Sequence, residues 1–197
     1  MSKLMIALFA AAGLGLSGAA LAQMNANMPV SKAAYEQARN DADAQYKLDK
    51  QACSSLAGNA NDVCVAEAKG KDRVAKADAE AAYTHTAKAR QNARVAHAQA
   101  AYDVAVEKCD DLAGNGKDVC VKEAKAALVK GKANAKVDRV AADTGHEAAV
   151  KQAEARKEAA TDKRDADYKV AIEKCDALAG AAKDACTGAA KAQYGKS

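Results

Sequence analysis

The chain has 197 residues, with 30 Lys and Arg against 26 Asp and Glu, for a formal net charge of +4. This small excess, without a basic cluster, argues against a nucleic-acid partner. From residue 23 onward, Leu, Ile, Val and Phe are together far scarcer than the roughly 20% below which a chain is prone to disorder. A chain rich in helix-forming residues but so poor in large apolar ones predicts an all-α protein with a thin core.

Residues 1–22 have the pattern of a secretory signal peptide. Lys3 gives the positive start, residues 4–16 the apolar run, and residues 20–22 a small-residue cleavage site before Gln23. A retained membrane anchor is the alternative, but the run is short and interrupted by glycine. The residue directly after the cleavage site is not a cysteine, so we expect no lipid attachment. We expect a periplasmic protein with no membrane span after signal removal.

Residues 23–30 predict a flexible lead-in. Met24 and Met28 within it could offer thioethers to copper(I), although two methionines in a mobile tail are a poor site. Ser31 then predicts a helix cap, with the first helix running to about residue 57 and Leu56 on its packed side.

One segment occurs three times along the remaining chain, at residues 46–69, 102–125 and 168–191. Each copy has a Tyr, a Cys seven residues later, Leu-Ala-Gly, an Asp and a second Cys eleven residues after the first. Apolar residues at three- and four-residue steps predict a packed helix before each turn. In the middle copy they are Val95, Ala98, Tyr102, Ala105, Cys109 and Leu112. Each repeat therefore predicts a helical hairpin.

The turn of each hairpin carries glycine. We expect Gly114 to end the first helix in a left-handed conformation and Asn115 to cap the next. Gly58 and Asn59 match them in the first repeat. In the third repeat Ala181 stands at the cap position, so its second helix is predicted to fray more readily.

The six cysteines flank these turns in pairs, so a tight antiparallel hairpin brings each pair together. Each predicted disulfide closes a loop of about a dozen residues, worth roughly 3 kcal/mol in the chain-entropy account. A zinc site would favour C-x2-C spacing and a redox centre C-x-x-C, and neither occurs here. The predicted bridges are Cys53–Cys64, Cys109–Cys120 and Cys175–Cys186.

Two interruptions divide the helical pattern, at residues 84–86, where Thr86 predicts a helix cap, and at residues 143–145. Both fall where the hairpins should end, which predicts three hairpins at 31–84, 86–143 and 146–197, forming an elongated bundle or separate beads. The second helix of the last has room for only about fifteen residues. The alternative is one long antiparallel coiled coil with helices continuous through both interruptions. Gly70 and Gly131 are expected to be soft spots inside helices.

The histidines offer little metal chemistry. Hairpin geometry puts His85 near His146, with Asp143 close by, so a weak surface metal site is conceivable. Two imidazoles do not complete a coordination shell, and we expect no metal. His97 has no evident partner.

A tyrosine begins each repeat, two helical turns before its first cysteine. The three could form a row that stacks on a ligand or peptide. We favour the alternative that each packs over its own hairpin seam, where it supplies bulk that alanine lacks. They are Tyr46, Tyr102 and Tyr168.

The repeated Cys-x-x-Leu-Ala-Gly-x-x-x-Asp-x-Cys motif resembles a group of exported, Ala/Lys-rich helical proteins of proteobacteria. Some of these are labelled by analogy with the Tol-system envelope protein TolA. The resemblance to the exported group covers most of the mature chain, whereas that to TolA is one of composition. We expect neither the retained anchor nor the folded C-terminal domain that TolA implies, so no functional residue carries over.

No phosphate-binding loop, Ser/His/Asp arrangement or haem motif is present in the sequence. We therefore expect no enzyme and no cofactor, but a periplasmic helical repeat protein that acts as scaffold, spacer or stress-protective, chaperone-like factor. Its partners would be envelope proteins or unfolded clients. The alternatives are a metal- or redox-responsive thiol protein and a desiccation-type protectant that is partly disordered.

Overall fold

The computed structural model describes residues 30–142 and 146–196. The predicted signal peptide, almost all of the lead-in with both its methionines, and the second interruption lie outside the described residues. Within them no helix is both long and apolar enough to cross a membrane. Six helices make up the described chain: α1 Lys32–Cys53, α2 Asn59–Thr84, α3 Ala87–Cys109, α4 Gly114–Ala141, α5 His146–Cys175 and α6 Gly180–Tyr194.

The helices pack as an array in chain order. Among the six described helices, each packs against its sequential neighbours and no other pair is in contact. The first and second hairpins meet along α2 and α3, and the second and third along α4 and α5. The hairpins are therefore joined side by side and are not separate beads. Because neighbouring helices are antiparallel, all three cystine-bearing turns lie at one end of the array, which we call the disulfide end.

Short polar caps position the helix starts at the opposite end. Ser31 Oγ accepts a hydrogen bond from the Ala34 amide at 3.1 Å, and Thr86 Oγ1 accepts one from the Ala89 amide at 3.0 Å. Both predicted caps are confirmed. His85 lies between α2 and α3 with φ of 52°, the left-handed conformation that ends α2. The alternative of a helix continuous through residues 84–86 is therefore wrong.

The interior is built from small side chains. The buried apolar residues are alanines, the first cysteine of each repeat and Val140. Helix axes can approach closely where side chains are this small. A Cβ added to Gly131 would lie 2.6 Å from the Cβ of Ala98, and one added to Gly70 would lie 3.0 Å from the Cβ of Ala100. Whether these glycines also soften their helices stays a prediction, but both lie where a neighbouring helix approaches closely.

Ion pairs lie along the seams between neighbouring helices. Two of the pairs between hairpins join Lys108 to Glu67 at 3.5 Å and Lys174 to Glu123 at 2.6 Å. Both pairs are about half exposed, so each contributes roughly 0–1 kcal/mol. The two pairs occupy the same positions in successive repeats, which shows that the hairpins are joined in one repeating register.

Candidate functional site

The disulfide end repeats one cystine geometry three times. The three predicted cystines are confirmed, with Cα–Cα distances of 5.6, 5.7 and 5.7 Å. In every pair the first cysteine is buried, with 0, 0 and 1% of its surface exposed, whereas the second is half-buried. All six cysteines are paired, so the described chain offers no thiolate as ligand or nucleophile in this state.

The turns differ from prediction in how glycine and asparagine are used. Gly58, Gly114 and Gly180 do have left-handed φ values of 58°, 55° and 54°, but they begin the second helix and do not end the first. No side-chain hydrogen bond caps α2, α4 or α6. Asn115 Nδ2 instead donates to the carbonyl of Glu173 in α5 at 2.9 Å. The predicted asparagine cap is therefore wrong, and the fraying expected from Ala181 loses its basis.

Each first helix stops at its cysteine, which leaves the following leucine in the turn. We predicted Leu56 and Leu112 on the packed face of a longer helix. They are 45% and 47% exposed, and Leu178 in the third turn is 43% exposed. The prediction that they are packed is wrong, because the helical stripe ends at the cysteine. The disulfide end thus presents three exposed leucines, one per turn.

Polar contacts clamp two of these turns in the same way. Lys117 pairs with Asp110 at 3.0 Å, and Lys183 pairs with Asp176 at 2.9 Å. In the first turn Asn61 Nδ2 donates to the carbonyl of Cys53 at 2.7 Å. Each clamp joins the start of the second helix to the end of the first, so the leucines are carried on braced turns.

A groove of about 640 Å³ lies along α1 and α2. At one end of it Tyr35 stacks on Tyr83 with ring centroids 4.8 Å apart. The Tyr35 hydroxyl donates to Glu80 at 2.5 Å, and the Arg39 guanidinium lies 5.5 Å from the ring centroid. The pKa of Tyr35 is raised, first because its proton is held by the Glu80 carboxylate and second by desolvation. This cluster locks α1 to α2 at the end away from the cystine.

The charges in this groove are largely satisfied within the protein. Lys76 donates to Asp43 at 2.6 Å and to Asp72 at 3.0 Å. Those hydrogen bonds raise the pKa of Lys76, and the bond from Lys76 lowers the pKa of Asp43. Arg73, also in the groove wall, pairs with Asp103 of α3 at 2.6 Å. The groove is therefore a braced seam whose charged groups hold neighbouring helices together.

The repeat tyrosines are half-buried at three different seams. Tyr168 meets Tyr194 of α6 edge-on at 6.1 Å, which confirms packing over its own hairpin. Tyr46 lines the α1–α2 groove, whereas Tyr102 lines a groove between α2 and α3, against the preceding hairpin. In the described chain these three rings do not contact one another.

The histidine cluster is placed only in part. His85 is exposed at the α2–α3 connection. Asp143 and the side chain of His146 lie outside the described residues, and the described ones contain no group of three potential ligands. His97 does have a partner, contrary to expectation: its Nε2 lies 3.0 Å from Asp78 Oδ2 on α2. That contact joins two hairpins and could not be found from spacing within one.

Comparison of this chain with protein-family models, with curated proteins and with solved structures returns no match.

Proposed function

We propose that this is a non-enzymatic scaffold or spacer of the periplasm, built from helical hairpins. The observation that carries the proposal is the side-by-side array in chain order, closed at one end by three cystines. Such an array holds its turns at fixed separations with a minimal apolar core. Its long charged faces stay in water, and its interior is filled by alanine and cystine.

The cross-links and the leader pattern together support a periplasmic location. Disulfides persist in oxidising compartments such as the bacterial periplasm and are reduced in the cytosol. A core of alanines contributes little burial energy per residue, so the cystines supply much of the constraint. The proposal thus needs export, which residues 1–22 would provide.

The scaffold role is tested in living cells. A photo-reactive amino acid is placed in the full-length chain at Leu56, Leu112 or Leu178, and at exposed Val150 on the side of α5 as control. A scaffold that presents its braced turns gives one discrete cross-linked envelope protein from the turn positions and none from Val150. Cross-links that are diffuse, absent or equal at all four positions would contradict the proposal.

A chaperone-like role is the second candidate, favoured by the same three exposed leucines. Apolar groups held on a charged scaffold can bind exposed segments of unfolded clients. The test is suppression of client aggregation by the oxidised protein and by a variant with all three turn leucines changed to Gln. The role predicts that this variant loses suppression, whereas Val150→Gln retains it. Failure of the unaltered protein to delay aggregation would rule the role out.

The thiol-responsive alternative is decided by the state of the cysteines in cells. It would require free thiols or bound metal in a fraction of the periplasmic protein. Mass spectrometry of protein trapped by rapid alkylation measures this directly. We expect three intact cystines and no metal.

A further inference from the structure

The interior seams between hairpins use matching positions in every repeat. Ala100 and Ala166 both lie nine residues before the first cysteine of their repeats. Ala100 lies against Gly70 of the preceding hairpin, and Ala166 is 7% exposed beside Ala126 in the seam between α4 and α5. Gly70 and Ala126 both lie six residues after the second cysteine of their repeats. In both seams, therefore, the second helix of one hairpin packs against the first helix of the next hairpin through the same repeat positions.

At the two ends of the array, the same repeat positions have no described helix packed against them. Ala44 matches Ala100, and Leu48 matches Val104, but no hairpin precedes α1 among the described residues. Ala44 is exposed and Leu48 is 61% exposed, whereas Val104 is half-buried. At the other end Ala192 on α6 matches Gly70 and is exposed. The outer face of α1 (Ala44, Leu48) and the outer face of α6 (Ala189, Ala192) are thus the two halves of an interior seam.

We propose that a second copy of this chain occupies these faces, with α1 of one copy packed on α6 of the next. The contact continues the seam that already joins α2 to α3 and α4 to α5. It is head-to-tail, since two different faces meet, and such contacts can add further copies in line. The inference holds whether or not the scaffold role proposed for the disulfide end is correct.

One ion-pair position of the interior seams is changed on both terminal faces at once. The interior seams place Lys108 opposite Glu67 and Lys174 opposite Glu123. The matching positions at the ends are Ala52 on α1 and Ala189 on α6. At this position both charges are replaced together, so neither a lysine nor a glutamate faces an alanine there. A change at one end alone would have left an unpaired charge in the contact.

The length of α6 sets the strength of the contact. It has 15 residues against 26 in α2 and 28 in α4, so the terminal contact covers about half an interior seam. Association between separate molecules must also offset lost rotational and translational freedom. We therefore expect weak, concentration-dependent association, visible at high protein concentration or when trapped covalently.

Cysteine trapping tests the register of the contact. Ala44→Cys and Ala192→Cys proteins are purified separately with their native cystines intact and then mixed under mild oxidation. The expected product is a covalent dimer in the mixture, joined between residues 44 and 192 on peptide mapping. Either variant alone should give at least tenfold less dimer. A mixture without this cross-link, or equal dimer from a single variant, would overturn the head-to-tail contact.

Surface substitutions give an independent readout by sedimentation. Leu48→Asp places a carboxylate in the contact and should weaken association about tenfold or more, since a buried unpaired charge is costly. Val150→Asp is the matched control, because Val150 is 50% exposed on α5, away from both terminal faces. Circular dichroism verifies that both variants fold. Unchanged association in Leu48→Asp, or equal loss in Val150→Asp, would contradict the proposal.

Discussion

At the residue scale, the fold depends on side chains small enough to bring helices together. The sequence marks Gly70 and Gly131 as helix-weakening residues, because glycine costs about 1 kcal/mol relative to alanine inside a helix. Their value lies in contacts with the neighbouring helix, which no periodicity within one helix reveals. The same holds for His97 with Asp78 and for Asn115 with Glu173. Contacts within a helix turn, such as the Ser31 and Thr86 caps, could be predicted.

Gly131→Ala should destabilise the protein even though it raises helix propensity. The added Cβ would lie 2.6 Å from the Cβ of Ala98, and neither methyl can rotate away, so the helices must shift. Overpacking of this kind costs about 1–3 kcal/mol. Gly116→Ala is the control, since nothing lies within 4 Å of its added Cβ. Denaturant unfolding should show a loss for Gly131→Ala and no loss for Gly116→Ala; equal midpoints would contradict the close contact.

The C-terminal turn has a contact that depends on pH. Lys196 Nζ donates to Asp165 at 2.8 Å, and this bond lowers the pKa of the Asp165 carboxyl. Because the folded pKa is below the unfolded value of about 3.9, the contact stabilises the fold above that value. The stabilisation is lost as the pH falls through the folded pKa.

Lys196→Gln should therefore raise the pKa of Asp165 toward its ordinary value, as measured by NMR titration of the carboxyl. Lys191→Gln removes a charge from the same last turn without touching this bond and serves as control. The assignment of the shift to Lys196 is wrong if the Asp165 titration is the same in all three proteins.

At the element scale, the helices that the cystines join differ in how many neighbouring helices pack against them. Helices α3 and α4 each have neighbours on both sides, whereas α6 packs on α5 alone. Helix α6 is also short enough that it would be only marginally stable in water if it were isolated. The sequence predicted this short helix and the cystine that ties it down. It did not predict where the turns begin, because the leucine after each cysteine continues the apolar pattern although the helix has ended.

Replacing Cys175 and Cys186 with alanine should release α6 from the array. Amide hydrogens in residues 182–194 should then exchange at least tenfold faster, since local opening is no longer limited by the cystine. The same replacement of Cys109 and Cys120 should leave α3 and α4 protected, because each is held by a neighbouring hairpin. Equal protection of α6 before and after removal of its cystine would contradict the claim that this cystine holds α6 in the array.

At the scale of the whole molecule, the hairpins and their pairing could be predicted from three repeats, while their assembly could not. Antiparallel hairpins and cystine partners follow from repeated spacing within about a dozen residues. Whether hairpins join side by side depends on contacts across the α2–α3 and α4–α5 seams. Residues in contact there can be far apart in sequence, as Asn115 and Glu173 are, so repeated spacing does not reveal them. The left-handed His85 is the residue that turns α3 back along α2. Without that reversal, α2 and α3 would form one rod and the first two cystine turns would lie at opposite ends.

The distance between the first two turns tests this directly. Spin labels carried by non-canonical amino acids at Ser55 and Asp111 leave all six cysteines paired, and pulsed electron spin resonance measures their separation. Two helix spacings of about 8–10 Å each predict a narrow distribution centred at roughly 20 Å. A continuous helix over residues 59–109 would instead place the labels about 75 Å apart at 1.5 Å per residue. A distance near that length, or a broad distribution from independent hairpins, would contradict the side-by-side array.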